Sequence, residues 1–387
     1  MFVRKILIGF LTAVLFLGCI PTVQAEEVEI AAPSAILMDA ATGTVLYEKN
    51  ANEKLPPASV TKVMTLLLVM EALERGQISM EDQVIASETA AGKGGSQVYL
   101  EPGEQMSMDE MLKSVVVSSA NDCATALAEH VAGSEAAFVE QMNRRAAELG
   151  MTDTHFVNCT GLDDEPNAAE HLTTAHDIAI MSRQLLMHDK IRNYTTIWMD
   201  TVRNGEFGLS NTNKLVRFYE GTTGLKTGYT SSAGHCLAAS AQRDGIELIA
   251  VVLHCDSSSE RFESAKALLN YGFANYALVD PVPEEPLPTV QVKLGKDSIL
   301  TPVLQASAPI LIQKSQRSKI SKTITLSEEI EAPVEAGAQL GVMTLSTPEG
   351  VLAEIPIIAP KAVEKLSIWD LALRLLRAMC MAEEENG

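Results

Sequence analysis

The sequence predicts a mixed α/β protein of the α+β kind, with one antiparallel sheet assembled from both ends of a long segment and a smaller all-β unit after it. Two observations predict the first part: apolar runs of strand character stand early, at "SAILMDAATGTVLYEKN", and return late, at "LKTGYT", "HCLAASAQ" and "ELIAVVLHC", with helical stretches between them. A third predicts the second part. The stretch "DPVPEEPLP" places four prolines between residues 280 and 288, a stiff connector suited to neither helix nor strand interior, and beyond it the chain turns to short runs such as "TVQVKL" and "KTITLS".

Taken in order, residues 1–25 read as an export signal: Arg4 and Lys5, an apolar run from Ile6 to Leu17, then small residues at Val23-Gln24-Ala25. That run is short for a membrane span. Leu17-Gly18-Cys19 leaves lipoprotein processing as an alternative. Two strands around a Gly43 turn follow, then a helix from Ser59 to about Glu74 and glycine-rich loops such as "GKGGSQ". "MDEMLKSVVV", "NDCATALAEHVAG" and "SEAAFVEQMNRRAAELG" are helices, the last with Ser134 as its cap and Gly150 as its stop. The late strands include a hairpin turning at Arg243-Asp244-Gly245, and the helix "ERFESAKALLNYGF" closes the unit. The expected division is therefore a main domain at 26–278, a linker at 279–288, an all-β domain at 289–360 and a helix at 361–382. In that helix Leu366, Trp369, Leu373, Leu376 and Cys380 share an apolar face, with Arg374 and Arg377 opposite. Such a helix suits a membrane surface rather than a span, the alternative being packing on its own protein or in a dimer.

A length of 387 residues is enough for two or three domains, and 47% apolar with 21% charged residues is a globular composition. A formal charge of −20 excludes nucleic acid as the natural partner. Six cysteines are present, and Cys19 would leave with the signal. The others, Cys123, Cys159, Cys236, Cys255 and Cys380, form neither a disulfide framework nor a zinc pattern, and no histidine pair makes H-E-x-x-H. Cys236 and Cys255 face the choice between a cross-hairpin bridge and buried thiols, and thiols are expected. No metal and no cofactor is called for.

The chemistry resides in three short motifs. "PPASVTKVMT" holds Ser59 and Lys62 three positions apart, on one helix face and about 5–6 Å from each other. Alone, S-x-x-K arises by chance about once in a chain of this length. "SSANDCA" adds Ser119-Ala120-Asn121, and "GTTGLKTGYT" adds Lys226-Thr227-Gly228. An S-x-x-K, S-D-N and K-T-G trio in this order is a signature of class A β-lactamases and penicillin-binding proteins, and here the middle motif is Ser-Ala-Asn. With "GMTDTHFVNCTGL", "HLTTAHDIAIMSR" and "RFESAKALLNYGF", the chain resembles the low-molecular-mass penicillin-binding proteins that are serine-type D-alanyl-D-alanine carboxypeptidases, strongly over residues 30–275 and more loosely over 285–382.

The resemblance implies a β-lactamase/transpeptidase-like domain and a division of labour. Ser59 would attack the carbonyl of the penultimate D-Ala, since an amide is poorly attacked by water. Lys62 would be the base, neutral through burial and a neighbouring cation such as Lys226. Ser119 would pass a proton to the departing amine, and Asn121 would hydrogen-bond the substrate. Backbone N–H groups of Ser59 and Tyr229 would hold the oxyanion. Gly228 would leave room for an extended peptide, while Lys226, Thr227 and Arg261 would face its free carboxylate. His155, Asn158 and His171 would be scaffold. The implied partners are peptidoglycan stem peptides, β-lactams as inhibitors, and the outer face of the cytoplasmic membrane, in the cell-wall space or periplasm. Two alternatives accompany this reading. A β-lactamase would use a glutamate to hold water, and Glu165-Pro166-Asn167 resembles that element; a sensor would acylate without turnover.

Overall fold

The structure is a computed structural model that describes residues 28–283, 285–306 and 308–373; the expected signal at 1–25 and the part of the terminal helix beyond 373 lie outside the described residues. Its centre is a five-stranded antiparallel sheet. The strands are β1 (Ser34–Asp39), β2 (Val45–Lys49), β3 (Thr222–Thr230), β4 (Gly234–Arg243) and β5 (Ile246–Cys255), in the order β2-β1-β5-β4-β3. Early and late segments thus build one sheet, with β3 at an edge.

The sequence between them supplies helices α1 (Lys62–Glu74), α2 (Met108–Val117), α3 (Asn121–Ala132), α4 (Glu135–Glu148) and α5 (Ala175–Leu186), and α6 (Ser258–Asn275) follows the last strand. Side chains alternate across a strand, so neighbouring residues enter different cores. Ile36, Met38, Ala238, Ile249 and Val251 join α1 to α5 on one face. Ala35, Leu37, Leu237, Ala239 and Val252 pack against Phe262, Ala265, Leu268 and Leu269 of α6 on the other. Covered on both faces, β1 is buried throughout, which explains its unbroken apolar run. α1 is buried nearly all round, as a helix without a polar face must be.

Local signals end these elements where the sequence places them. Ser134 accepts from the N–H of Ala137 at the start of α4, and Gly150 follows its end at φ +76°. The expected helix from Ser59 differs: residues Ala58–Thr61 wind a 3-10 turn, and the α-helix begins only at Lys62.

The strand Tyr276–Val279 leaves α6 and pairs with Ile310–Gln313. Beyond it the described chain is almost wholly strand and turn, built on a four-stranded sheet whose longest hairpin joins Gln339–Thr347 to Gly350–Ile358. Its apolar clusters, around Val290 and Leu340 and around Met343 and Ile357, are separate from those of the main sheet. The helix expected from residue 361 begins only at 368, because Val363 and Lys365 still bridge to Val334 and Gly295 and Val363 is buried in the β unit; residues 368–373 are helical, with the Ser367 hydroxyl accepting from the Asp370 N–H. Ile368 and Trp369 on that turn are more than four-fifths exposed.

Candidate active site

The 3-10 turn that carries Ser59 is held against its surroundings from three sides. Ala58 adopts φ +48°, in the left-handed region that costs a side chain about 1 kcal/mol or more. The Thr61 hydroxyl donates to the Ala58 carbonyl at 2.8 Å and receives a 2.8 Å hydrogen bond from His171 Nε2. His171 Nδ1 accepts from the Val157 N–H, which fixes the proton on Nε2, and burial holds the ring neutral with a pKa of about 4. Asn158 Oδ1 accepts from the N–H groups of Thr160 and Gly161 and from the Thr160 hydroxyl. That turn presses on the Ser59 turn so closely that a Cβ on Gly161 would stand 1.8 Å from the Ala58 oxygen. Asn158 and His171 are therefore scaffold, as expected; His155 pairs its backbone with Leu172 nearby.

Lys62 opens α1 one turn after Ser59, and its ammonium lies 2.9 Å from Ser59 Oγ and 2.8 Å from the Thr160 carbonyl. The residue has no solvent exposure. Burial pushes its pKa down from 10.5 to about 7, with Asp122 among the groups that oppose the fall. When Lys62 is neutral, the Ser59 hydroxyl can donate to its lone pair, the orientation that proton removal requires. Neither the 3-10 turn nor α1 receives a side-chain cap, so Ser59 is not a capping serine.

Ser119 and Asn121 sit where α2 gives way to α3. Ser119 adopts φ +66°, and α3 is flanked by Ala120 without a side-chain cap. Capping is thus excluded for Ser119 as well. Its buried hydroxyl has no hydrogen-bond partner, and neither has Asn121 Oδ1, whereas Asn121 Nδ2 donates to the Gly94 carbonyl at 2.7 Å. Unsatisfied buried polar atoms are costly and rare, and two of them within three residues mark a place built for a ligand.

β3 supplies the other wall. A Cβ on Gly228 would fall 2.7 Å from the Pro57 oxygen and 3.1 Å from the Ser59 nitrogen. The missing side chain lets the strand approach the nucleophile's own turn. Lys226 is buried and donates to the Thr227 carbonyl at 2.9 Å. Burial, then Lys62, then Arg261 hold its amine well below the usual lysine range. Desolvation is the largest cause for both amines, and the charge repulsion between Lys62 and Lys226 lowers the pair further. Thr227 donates to Thr212 Oγ1 at 2.7 Å, and the Thr212 N–H reaches the Val117 carbonyl, tying β3 to the α2–α3 junction. The Tyr229 ring is exposed and stacks on His235 at 4.4 Å. Arg261, on α6, is buried, and its Nη1 donates to the carbonyls of Gly228 at 2.9 Å and Cys236 at 3.3 Å.

Sequence reasoning missed the Thr160 carbonyl, a backbone group with no sequence signal, and Asp122. The buried Asp122 carboxylate accepts from the N–H groups of Val98, Leu100 and Cys123 and fixes the wall beside Asn121; an acid at a helix start was the available clue. Glu165 is engaged elsewhere, in ion pairing with Lys93, which also holds Glu135 at 2.7 Å. Cys123, Cys159, Cys236 and Cys255 are free and buried, so the thiol alternative holds.

Comparison with known proteins agrees with this geometry. The family model described as D-alanyl-D-alanine carboxypeptidase matches residues 21–257, and that of the penicillin-binding protein 5 C-terminal domain matches 282–365. The chain is 41% identical over 348 residues to D-alanyl-D-alanine carboxypeptidase DacF of Bacillus subtilis, covering 88% of both. It is 33% identical over 380 residues to DacC of Escherichia coli, covering 94% of both. Among solved structures, penicillin-binding protein 3 of Streptococcus pneumoniae superposes with a TM-score of 0.72 at 29% identity, over 87% of this chain and all of that one. Penicillin-binding protein D2 of Listeria monocytogenes, in its ampicillin-bound form, superposes with 0.58 at 30% identity, over 63% of this chain and 98% of that one.

Proposed function

Because the chain belongs to the D-alanyl-D-alanine carboxypeptidase family of penicillin-binding serine hydrolases, we propose the following route from its side chains to removal of the terminal D-Ala of a peptidoglycan stem pentapeptide. Neutral Lys62 takes the Ser59 proton as Oγ bonds to the penultimate D-Ala carbonyl. The oxyanion forms between the N–H groups of Ser59 and Tyr229, where fixed donors act at no reorganisation cost. As the peptide C–N bond breaks, the proton reaches the leaving amine through Ser119, and D-Ala departs. Water, deprotonated by Lys62, then cleaves the Ser59 ester and restores both groups. Lys226, Thr227 and Arg261 supply the positive, hydrogen-bonding end for the substrate carboxylate, and Asn121 Oδ1 accepts from the substrate backbone. A β-lactam acylates Ser59 by the same first step and stays.

One observation carries this reading: a lysine without solvent exposure, its pKa near 7, hydrogen-bonded to a serine that caps nothing. The β-lactamase alternative is weakened because Glu165 is committed to Lys93.

The same reading exports the protein through residues 1–25 and lays the helix that begins at residue 368 on the outer membrane surface. It keeps 26–278 as the catalytic domain, 279–288 as linker and 289–360 as the all-β domain. Exposed Ile368, Trp369 and Leu373 support the surface helix. No helix among the described residues is long and apolar enough to cross a membrane.

Mass spectrometry of the purified protein with a D-Ala-D-Ala peptide, and separately with benzylpenicillin, tests the proposal. Released D-Ala and a long-lived penicilloyl adduct on Ser59, both lost in Ser59→Ala, are expected. Fast penicillin turnover without D-Ala would make it a β-lactamase, and an adduct without turnover of either would make it a sensor.

A further inference from the structure

We propose that Arg261 is a positioning residue for the oxyanion site, acting through the Gly228–Tyr229 peptide group. The inference rests on the assignment of the Tyr229 N–H as an oxyanion donor. One guanidinium nitrogen, Nη1, donates to the carbonyls of both Gly228 and Cys236, which face each other in the β3–β4 register. A single nitrogen can reach both only if both carbonyls point into the space between the two strands. Two peptide bonds among the described residues are cis, and Gly228–Tyr229 is neither of them. In a trans peptide the C=O and N–H point in opposite directions. With the Gly228 carbonyl turned towards β4, the Tyr229 N–H is turned to the free edge of β3, and β3 is the edge strand of the sheet. The Ser59 turn packs against β3 at this same residue, which the missing Cβ of Gly228 allows to within contact.

The arrangement has a second effect. A cationic donor on the Gly228 oxygen draws electron density along the amide and makes the Tyr229 N–H a stronger donor, as hydrogen bonds in sequence polarise one another. The two carbonyls are its closest hydrogen-bond partners: its Nη2 has only a long 3.4 Å approach to the Ser258 hydroxyl, its Nε is buried without a partner, and the guanidinium lies over the Phe262 ring at 4.8 Å. An arginine serving only as an anchor for the substrate carboxylate has no need to bind two backbone carbonyls behind the strand.

The two roles separate by substrate charge. Purified wild-type protein, Arg261→Lys and Arg261→Met would be acylated by a diacetyl-Lys-D-Ala-D-Ala peptide and by the matching D-Ala thioester of an uncharged thiol, which has no terminal carboxylate. A positioning role predicts about a 10–100-fold fall in the acylation rate constant of Arg261→Met with both substrates, a fraction of the 10²–10³-fold cost of deleting an oxyanion donor outright, with partial recovery in Arg261→Lys. The infrared carbonyl band of the penicilloyl-enzyme, made with ¹³C-labelled penicillin, is expected to rise in frequency as its hydrogen bond weakens. Circular dichroism establishes folding, and if Arg261→Met fails to fold, Arg261→Lys alone decides by the same two readings. Loss confined to the carboxylate-bearing peptide, with an unshifted carbonyl band, would overturn the proposal and leave Arg261 as a carboxylate anchor. Failure of the wild-type protein to be acylated by any of these compounds would instead strike the functional reading on which it rests.

Discussion

Replacing Lys62 by methionine, which keeps the length and apolar stem of the side chain, is expected to abolish acylation while making the protein more stable at pH 7.4. Lys62 is wholly buried and its pKa falls from 10.5 to about 7. Each pKa unit corresponds to about 1.4 kcal/mol, so a folded state that accepts Lys62 at pH 7.4 gives up on the order of 4 kcal/mol relative to a chain that keeps it protonated in water. Methionine recovers that sum but leaves the Thr160 carbonyl without its donor, at a cost of about 1–3 kcal/mol. The net gain is roughly 1–3 kcal/mol, or several degrees in Tm for a domain of this size. The sign of the pH dependence is a stricter check. Between pH 7 and 10.5 the unfolded wild-type chain binds the Lys62 proton and the folded chain does not, so the wild type gains stability as pH rises through that window. The advantage of Lys62→Met should shrink towards pH 10.5. Thermal melts of both proteins from pH 7 to 10, with penicillin acylation read alongside, decide the matter. A variant less stable than wild type at pH 7.4, or a gap that widens with pH, would refute the claim that desolvation sets the Lys62 pKa.

Three other outcomes follow from the geometry. Ser119→Ala should slow acylation by about 10²–10⁴-fold, the usual worth of a positioned proton donor, without loss of Tm, because the hydroxyl it removes is buried and has no partner; a marked fall in Tm would make Ser119 structural. Gly228→Ala should cut the penicillin acylation rate at least tenfold, since its Cβ would meet the Pro57 oxygen at 2.7 Å and the Ser59 nitrogen at 3.1 Å; wild-type kinetics would show that the strand yields freely. Glu165→Gln should leave the lifetime of the penicilloyl adduct unchanged and cost about 1 kcal/mol or less in stability, as expected for a partly exposed partner of Lys93; a longer adduct lifetime would place Glu165 in deacylation.

Much of the site was legible because its parts are close in sequence or chemically conspicuous. Ser59 and Lys62 are one helical turn apart, so any helix there brings them together. The sheet was legible because β1, β4 and β5 are apolar runs, although only the packing of α6 against one face and α1 and α5 against the other explains why β1 does not alternate. The supporting contacts were not legible, because they are long-range and made by backbone atoms. Nothing in the local sequence says that the Thr160 carbonyl receives Lys62, or that the hydrogen of Gly161 faces the Ala58 oxygen. The start of α1 illustrates the limit. Helical propensity places Ser59 in a first α turn, but the Asn158–Gly161 turn and the Thr61–His171 pair hold Ala58 at a positive φ and wind Ala58–Thr61 as a 3-10 turn.

That override points to where the fold spends stability. Two non-glycine residues in the left-handed region, Ala58 and Ser119, stand next to or at the motif serines, and two buried lysines, Lys62 and Lys226, share the same interior. Each would be destabilising alone, and strain of this kind persists only where neighbours over-determine it. The neighbours here are identifiable: His171 and Asn158 brace the Ser59 turn, Asp122 braces the wall beside Asn121, and Thr212 ties β3 to the α2–α3 junction. Burial lowers both amines, and Lys62 and Lys226 bear on each other's charge, so this interior favours the neutral Lys62 that can take the Ser59 proton. The bracing residues therefore matter to the reaction without touching substrate, since loosening any of them would admit water, raise the Lys62 pKa and return the base to its charged, inactive form.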